Sequence, residues 1–237
     1  MNYLILMAAF VMHSTALWMR GLQTGHCPTA NLYESAVFIS WTLLCAVLVL
    51  GLSHRLRFLG AFTSPILLMM GVFALMPSLD TPAGQLAMDN QPYTSMHAAL
   101  ILLSYAAFGL AAVAGAMLLT QDHNLKHKKT MVIFSLLPPI QRLEKVVHRL
   151  AFAGFILLTS GLAVSVFWME LPIDFSFRSD FKVSWSIFVW AMYLVLLVLH
   201  WRFHLRGKKF AVGALLSFVF IILTYWGANM ASSLHHP

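Results

Sequence analysis

Eleven histidines stand in this chain of 237 residues. Imidazole is the side chain best suited to ligate a metal or move a proton near neutral pH. His54, His123, His127, His148 and His204 lie among lysines and arginines, where the plain expectation is an interfacial polar residue. His236 is almost terminal, and His26 falls in a short polar stretch that fits either role. His97 and His235 each stand at one end of a long apolar run. Two imidazoles at one level can bind one metal, or a haem iron axially, if their helices are neighbours; otherwise they are helix-end residues bonded to water or backbone. His200 lies within an apolar run, well past Trp185; about 15 residues of helix between them cover about 22 Å. An ionisable group at that depth is a functional candidate, unless it snorkels to the surface beside Arg202. His13 is the other histidine inside an apolar run, and so the one within-chain partner expected for His200, although their estimated depths differ.

A second constellation runs from Trp168 to Trp185: Trp-Met-Glu-Leu-Pro-Ile-Asp-Phe-Ser-Phe-Arg-Ser-Asp-Phe-Lys-Val-Ser-Trp. Its aromatics offer flat faces to a planar apolar ligand, and Arg178 and Lys182 could pair with carboxylates such as haem propionates. The same composition also suits an interfacial aromatic belt with two snorkelling cations.

The elements that carry these residues are apolar helices. Hydrophobic residues make up 60% of the chain and charged ones 10%, against about a quarter charged in a soluble domain. Mean hydropathy is +0.79. A soluble domain, a disordered tail and a disulfide-rich module are excluded, and the long continuous runs do not fit a membrane barrel. A span needs about 20 mostly apolar residues. Seven stretches qualify: 3–20, 35–53, 57–77, 96–119, 149–169, 184–205 and 210–231. The expected fold is an all-α membrane protein of about seven transmembrane helices, forming a single domain over 1–237. The first run has no basic start and no small-residue cleavage site, so a retained helix is expected rather than a signal peptide.

Lysine and arginine, counted loop by loop, set the orientation. Twelve fall on one side: Arg55, Arg57, Lys126, Lys128, Lys129, Arg142, Lys145, Arg149, Arg202, Arg206, Lys208 and Lys209. Only Arg20, Arg178 and Lys182 fall on the other. The N-terminus is therefore expected in the cytoplasm and the C-terminus on the outer face, which carries His97, His235 and the aromatic loop. The net charge of +7 sits in short patches between spans, which argues against nucleic acid. Asn31-Leu-Tyr-Glu34 resembles a capping box. Pro65 should kink its helix or sit where neighbours satisfy the freed carbonyl. Ile140 to Arg149, after Pro138-Pro139, alternates apolar and charged residues at helical spacing and is expected to lie along the membrane surface. Cys27 and Cys45 form no disulfide framework, metal motif or CxxCH haem-attachment motif.

Read in order, these residues resemble the CcsA/ResC-type cytochrome c assembly proteins. The stretch Arg20-Gly-Leu-Gln-Thr-Gly-His-Cys-Pro-Thr-Ala-Asn-Leu-Tyr-Glu-Ser35, with Phe38 and Trp41, is similar to that family's first outer loop. Met96-His97 followed by Leu103-Ser104-Tyr105-Ala106 is similar too, as is Leu143-Glu144 leading to Gly154-Phe155 and Leu158-Thr159-Ser160-Gly161. Trp190 and Tyr193 before His200, and Gly227-Ala-Asn229 ending in Leu234-His235, complete a resemblance that covers nearly the whole chain.

The resemblance implies haem handling in the system II pathway of cytochrome c maturation. With a ResB/CcsB-type partner, such proteins move haem outward and present it to the CxxCH motifs of apocytochrome c. If catalytic, the chain would be one component of a cytochrome c haem lyase. The family's two outer axial histidines fall on His97 and His235, and its intramembrane histidine on His200. The tryptophan-rich haem loop of the family, ending in Trp-Asp-Pro-Lys-Glu-Thr-Trp, is eroded here. Asp180, Lys182, Trp185 and the upstream Trp168 remain, while Ile173, Phe177 and Ser179 stand at tryptophan positions. Phe175 and Phe177 could still supply flat faces, with Arg178 or Lys182 near the propionates. That erosion is similar to the HemX and YpjD branch of the superfamily.

The implied ligand is haem b, carried as cargo in a bacterial inner membrane, with entry by His200 and delivery to His97 and His235. No GxSxG, Walker or HExxH motif is present, and no nucleophile is needed if the apocytochrome brings its own thiols. Two other functions compete. One is a HemX-like membrane regulator or scaffold linked to haem synthesis, without attachment activity. The other is a b-type electron-transfer cytochrome, which needs histidine pairs at matched depth; the unequal depths of His13 and His200 argue against it.

Overall fold

The computed structural model describes residues 2–25, 27–29, 31–51, 58–76, 92–126, 139–168, 181–205 and 207–230. Among the described residues seven helices follow one another: α1 (Asn2–Thr24), α2 (Leu32–Gly51), α3 (Phe58–Ala74), α4 (Pro92–Lys126), α5 (Ile140–Trp168), α6 (Phe181–Phe203) and α7 (Lys208–Met230). The described residues contain no strand. In lipid a helix satisfies every backbone group within itself, which is why such apolar runs settle on this element.

Four helices are long and apolar enough to cross a membrane among the described residues: Tyr3–Thr24, Tyr93–Lys126, Ile140–Trp168 and Val183–Phe203. Tyr33–Val49 and Thr63–Ala74 are apolar but shorter. Among the described residues, the full-length spans are thus fewer than the seven expected. The chain is an all-α, multi-pass membrane protein.

The chain divides into two compact units. The first comprises Met1–Ala106, Leu157–Met169 and Pro237. In it, α1 packs on α2 and α2 on α3. Three polar contacts zip α1 to α2 in antiparallel register. The Tyr3 hydroxyl donates to the Leu48 carbonyl at 3.0 Å. Trp41 Nε1 donates to Ser14 Oγ at 2.8 Å, with Phe10 stacked on the Trp41 ring. Arg20 Nε donates to Glu34 Oε1 at 3.0 Å. The expected cap at the start of α2 is present: the Glu34 amide donates to Asn31 Oδ1 at 2.8 Å. Within α3 the helix runs on through Pro65.

The Glu34 side chain is 2% exposed, so its charge depends on partners rather than water. A hydrogen bond to a buried charge is worth about 1.5–3 kcal/mol. Arg20→Leu is expected to destabilise the chain by about 2 kcal/mol, read as a lower unfolding midpoint in detergent. A midpoint equal to wild type would show that the α1–α2 zip does not rest on this pair.

The second unit comprises Ala107–Ile156 and Glu170–His236. Burying a leucine against protein instead of lipid gains little, so helices in a bilayer associate through close packing of small residues. Here α4 buries Ala111 and Ala114 and sets Gly115 against Ala211 of α7. A Cβ on Gly115 would stand 3.1 Å from the Ala211 carbonyl oxygen, so the two backbones touch. On the α6–α7 side, Gly213 leaves room for the Leu196 side chain.

The segment Ile140–Arg149 is the opening of α5, not a separate surface helix. Pro139 starts it, its carbonyl accepting from the Arg142 and Leu143 amides. Leu143, Val146, Val147 and Ala151 are buried in this unit, so the apolar stripe packs on protein rather than on lipid.

Candidate functional site

In the first unit, His97 stands in the second turn of α4 and is half-buried. Its Nδ1 lies 2.8 Å from the carbonyl oxygen of Gly161 in α5. A carbonyl can only accept, so Nδ1 carries the proton and donates, and the lone pair of the neutral ring resides on Nε2. Metal-ligating histidines are typically held this way, with the second nitrogen tied to a backbone carbonyl or carboxylate. Gly161 is what allows the approach. A Cβ there would stand 2.7 Å from Ile101 Cδ1 and 3.3 Å from Leu100 Cβ. Trp168 closes the same helix, largely exposed and edge-on to Phe167.

In the second unit, His200 stands in the last turn of α6. Its Nδ1 lies 2.8 Å from the Leu205 carbonyl oxygen, so it too is the Nε2-lone-pair tautomer. The chain reversal makes that bond possible. His204 takes a positive φ of 52°, Leu205 N–H returns to the Leu199 carbonyl, and Gly207 follows at φ 59°. The Gly207 amide then donates to Glu144 Oε1 at 2.8 Å, tying the turn to α5. Beside His200 lies His148 of α5, with ring centroids 4.0 Å apart, and Phe210 of α7 lies close to both. The sequence offers His13 as the within-chain candidate for His200, a pairing that their depths make weak; within its own unit the neighbour of His200 is His148.

Trp185 is buried near the start of α6, and its Nε1 donates to Thr224 Oγ1 of α7 at 2.8 Å. Its indole plane is therefore fixed by α7. Lys182 is the second residue of α6. His235, Phe177, Arg178 and Asp180 lie outside the described residues.

The described residues contain no group of three or more His, Cys, Asp or Glu that could hold a bare metal ion. Single imidazoles locked in one tautomer suit a metal that brings most of its ligands with it, as a porphyrin iron does. Cys27 is no competing nucleophile. Burial pushes its thiol pKa up, and the Glu34 carboxylate pushes it further. The reactive form is the thiolate, so the group stays protonated and quiet at neutral pH.

A family model described as cytochrome C assembly protein matches residues 29–236. The chain belongs to the cytochrome c assembly protein family. Its role therefore lies in cytochrome c biogenesis, and with it in haem handling. The match takes in His97, His200, His235 and the whole Trp168–Trp185 stretch. The cytochrome c biogenesis protein CcsA of Prochlorococcus marinus (strain NATL2A) is 28% identical over 245 residues, covering 92% of this chain and 78% of that protein. The CcsA of Oryza sativa subsp. indica is 24% identical, over 95% of this chain and 82% of its own length. Protein HemX of Brevibacillus brevis is also 24% identical, over 94% of this chain and 82% of its own length.

Proposed function

We propose that this member of the cytochrome c assembly family carries haem b as cargo and presents it on the outer face for attachment to apocytochrome c. One observation supports the reading: both described candidate ligands, His97 and His200, hold Nδ1–H on a backbone carbonyl, which puts the ring lone pair on Nε2. His200 serves as a ligand in the cytoplasmic half of the membrane. His97 and His235 take the iron at the outer face, where two axial imidazoles make it six-coordinate until one lets go. Trp168, Phe177 and Trp185 flank the macrocycle, Arg178 and Lys182 meet the propionates, and Asp180 completes the loop. A ResB/CcsB-type partner and the apocytochrome thiols supply what this chain lacks. The N-terminus faces the cytoplasm of a bacterial inner membrane, as the distribution of basic residues supports. The chain works as a single domain, a reading supported by a family match that runs through both units.

A second reading draws on the likeness to HemX and on the eroded loop: a membrane regulator linked to haem synthesis, without attachment. Purification in detergent after expression with haem supplied separates the two. Haem carriage predicts a reduced low-spin, bis-histidine absorption spectrum in wild type, with a distinct fraction lost in His200→Ala. Wild type without stoichiometric haem, or haem indifferent to His97→Ala, His235→Ala and His200→Ala alike, would sink carriage and leave the regulatory reading.

A further inference from the structure

The second unit holds a pairing that the mechanism above leaves unused. The His148 and His200 rings lie 4.0 Å apart at an interplanar angle of 31°. They come from different helices, and Phe210 of the third stands 4.9 Å from the His200 centroid at 59°. His200 is thus restrained in three ways: a ring face tilted against it at close range, an aromatic neighbour set across it, and the bond from Nδ1 to the Leu205 carbonyl. Its Nε2 has no hydrogen-bond partner among the described residues.

Spacing decides what His148 can do. Two imidazoles on opposite sides of one metal each reach it through a bond of about 2 Å, which sets their ring centres more than about 6 Å apart. At 4.0 Å no porphyrin fits between them, so in this arrangement His148 is not the opposite ligand to His200. A flat ring in contact with another ring is instead a stop against rotation. The Leu205 bond alone lets the His200 ring rock about the Nδ1 direction, and the His148 face limits that motion.

We propose that His148 is a positioning residue: its ring face sets the plane of the His200 imidazole, and so the direction in which His200 Nε2 meets a haem iron. This rests on the reading of His200 as a haem ligand. The chemical requirement on His148 is a planar face rather than a nitrogen, which makes phenylalanine its functional equivalent.

The test uses the full-length chain, purified with haem as above, in wild type, His200→Ala, His148→Ala and His148→Phe. Haem per protein and the low-spin electron paramagnetic resonance signal of the His200-dependent fraction are read together. Loss of a residue that orients a ligand costs about 10–100-fold in metal affinity. His148→Ala is expected to lower that fraction about tenfold and broaden its signal, while His148→Phe restores both. If His148→Ala does not accumulate, His148→Leu, which fills the volume without a flat face, takes its place. A His148→Phe protein as poor as His148→Ala overturns the inference, because a nitrogen would then be what matters. His148 variants that match wild type while His200→Ala loses haem overturn the inference and leave the reading of His200 intact. His200→Ala with all its haem in place overturns both.

Discussion

His97→Ala is expected to lose the outer low-spin haem signal, with occupancy of that station falling by more than about 100-fold, beyond the range typical of residues that merely orient a ligand. The argument starts from the ring's fixed tautomer. The bond from Nδ1 to the Gly161 carbonyl is 2.8 Å long, so Nε2 alone presents a lone pair. Alanine removes that lone pair and leaves a ring-shaped gap beside α5. Free imidazole fits such a gap and carries the same donor atom. Millimolar imidazole is therefore expected to restore the low-spin spectrum of His97→Ala, and with it holocytochrome c formation in cells. His235→Ala should behave alike if the two share one iron. An outer signal that survives His97→Ala would falsify the assignment of His97 as ligand.

Much of the architecture is legible in the sequence because continuous apolar runs leave a chain few alternatives to helices. Asn31 and Glu34 mark the start of α2 as read, since the capping signal is local and needs no tertiary partner. The opening of α5 shows where such signals stop. Leu143, Val147 and Ala151 repeat at helical spacing, and that spacing is the same whether the stripe lies on lipid or on protein. Only the partner distinguishes the two, and the structure supplies it by burying the stripe in the unit built from α4, α6 and α7.

His148 escaped for a related reason. Sorting histidines by their basic neighbours places His148 at the membrane surface and stops there. Yet α5 and α6 run antiparallel, as the Phe155–Trp190 and His148–His200 contacts both require. The beginning of one helix therefore meets the end of the other. A histidine early in one helix and a histidine late in its antiparallel neighbour therefore fall at the same level, whatever charges flank them in sequence. The Gly161 carbonyl was beyond reach: nothing in the residue type says which helical carbonyl accepts a second bond.

Gly161→Val is expected to weaken haem binding at His97 by about 10–100-fold, as loss of a ligand's orienting partner does. His97 and Ile101 lie four residues apart, on one face of α4, so a residue that displaces Ile101 moves His97 with it. Alanine at 161 meets the Ile101 terminal methyl, which can swing aside, and approaches Leu100 Cβ at 3.3 Å, which needs a shift of a few tenths of an ångström. Valine adds two branches against that same backbone-fixed Cβ, and α4 has to move away. The Nδ1–H then loses its carbonyl acceptor. The tautomer is no longer set, and rings protonated at Nε2 cannot ligate through that nitrogen. Gly161→Ala should lose far less than Gly161→Val. Imidazole separates this defect from the removal of the ligand itself. It refills the gap left in His97→Ala, but in Gly161→Val the His97 ring still occupies its place, so no rescue is expected. Wild-type haem binding in a folded Gly161→Val chain would show that this carbonyl does not set the aim of His97.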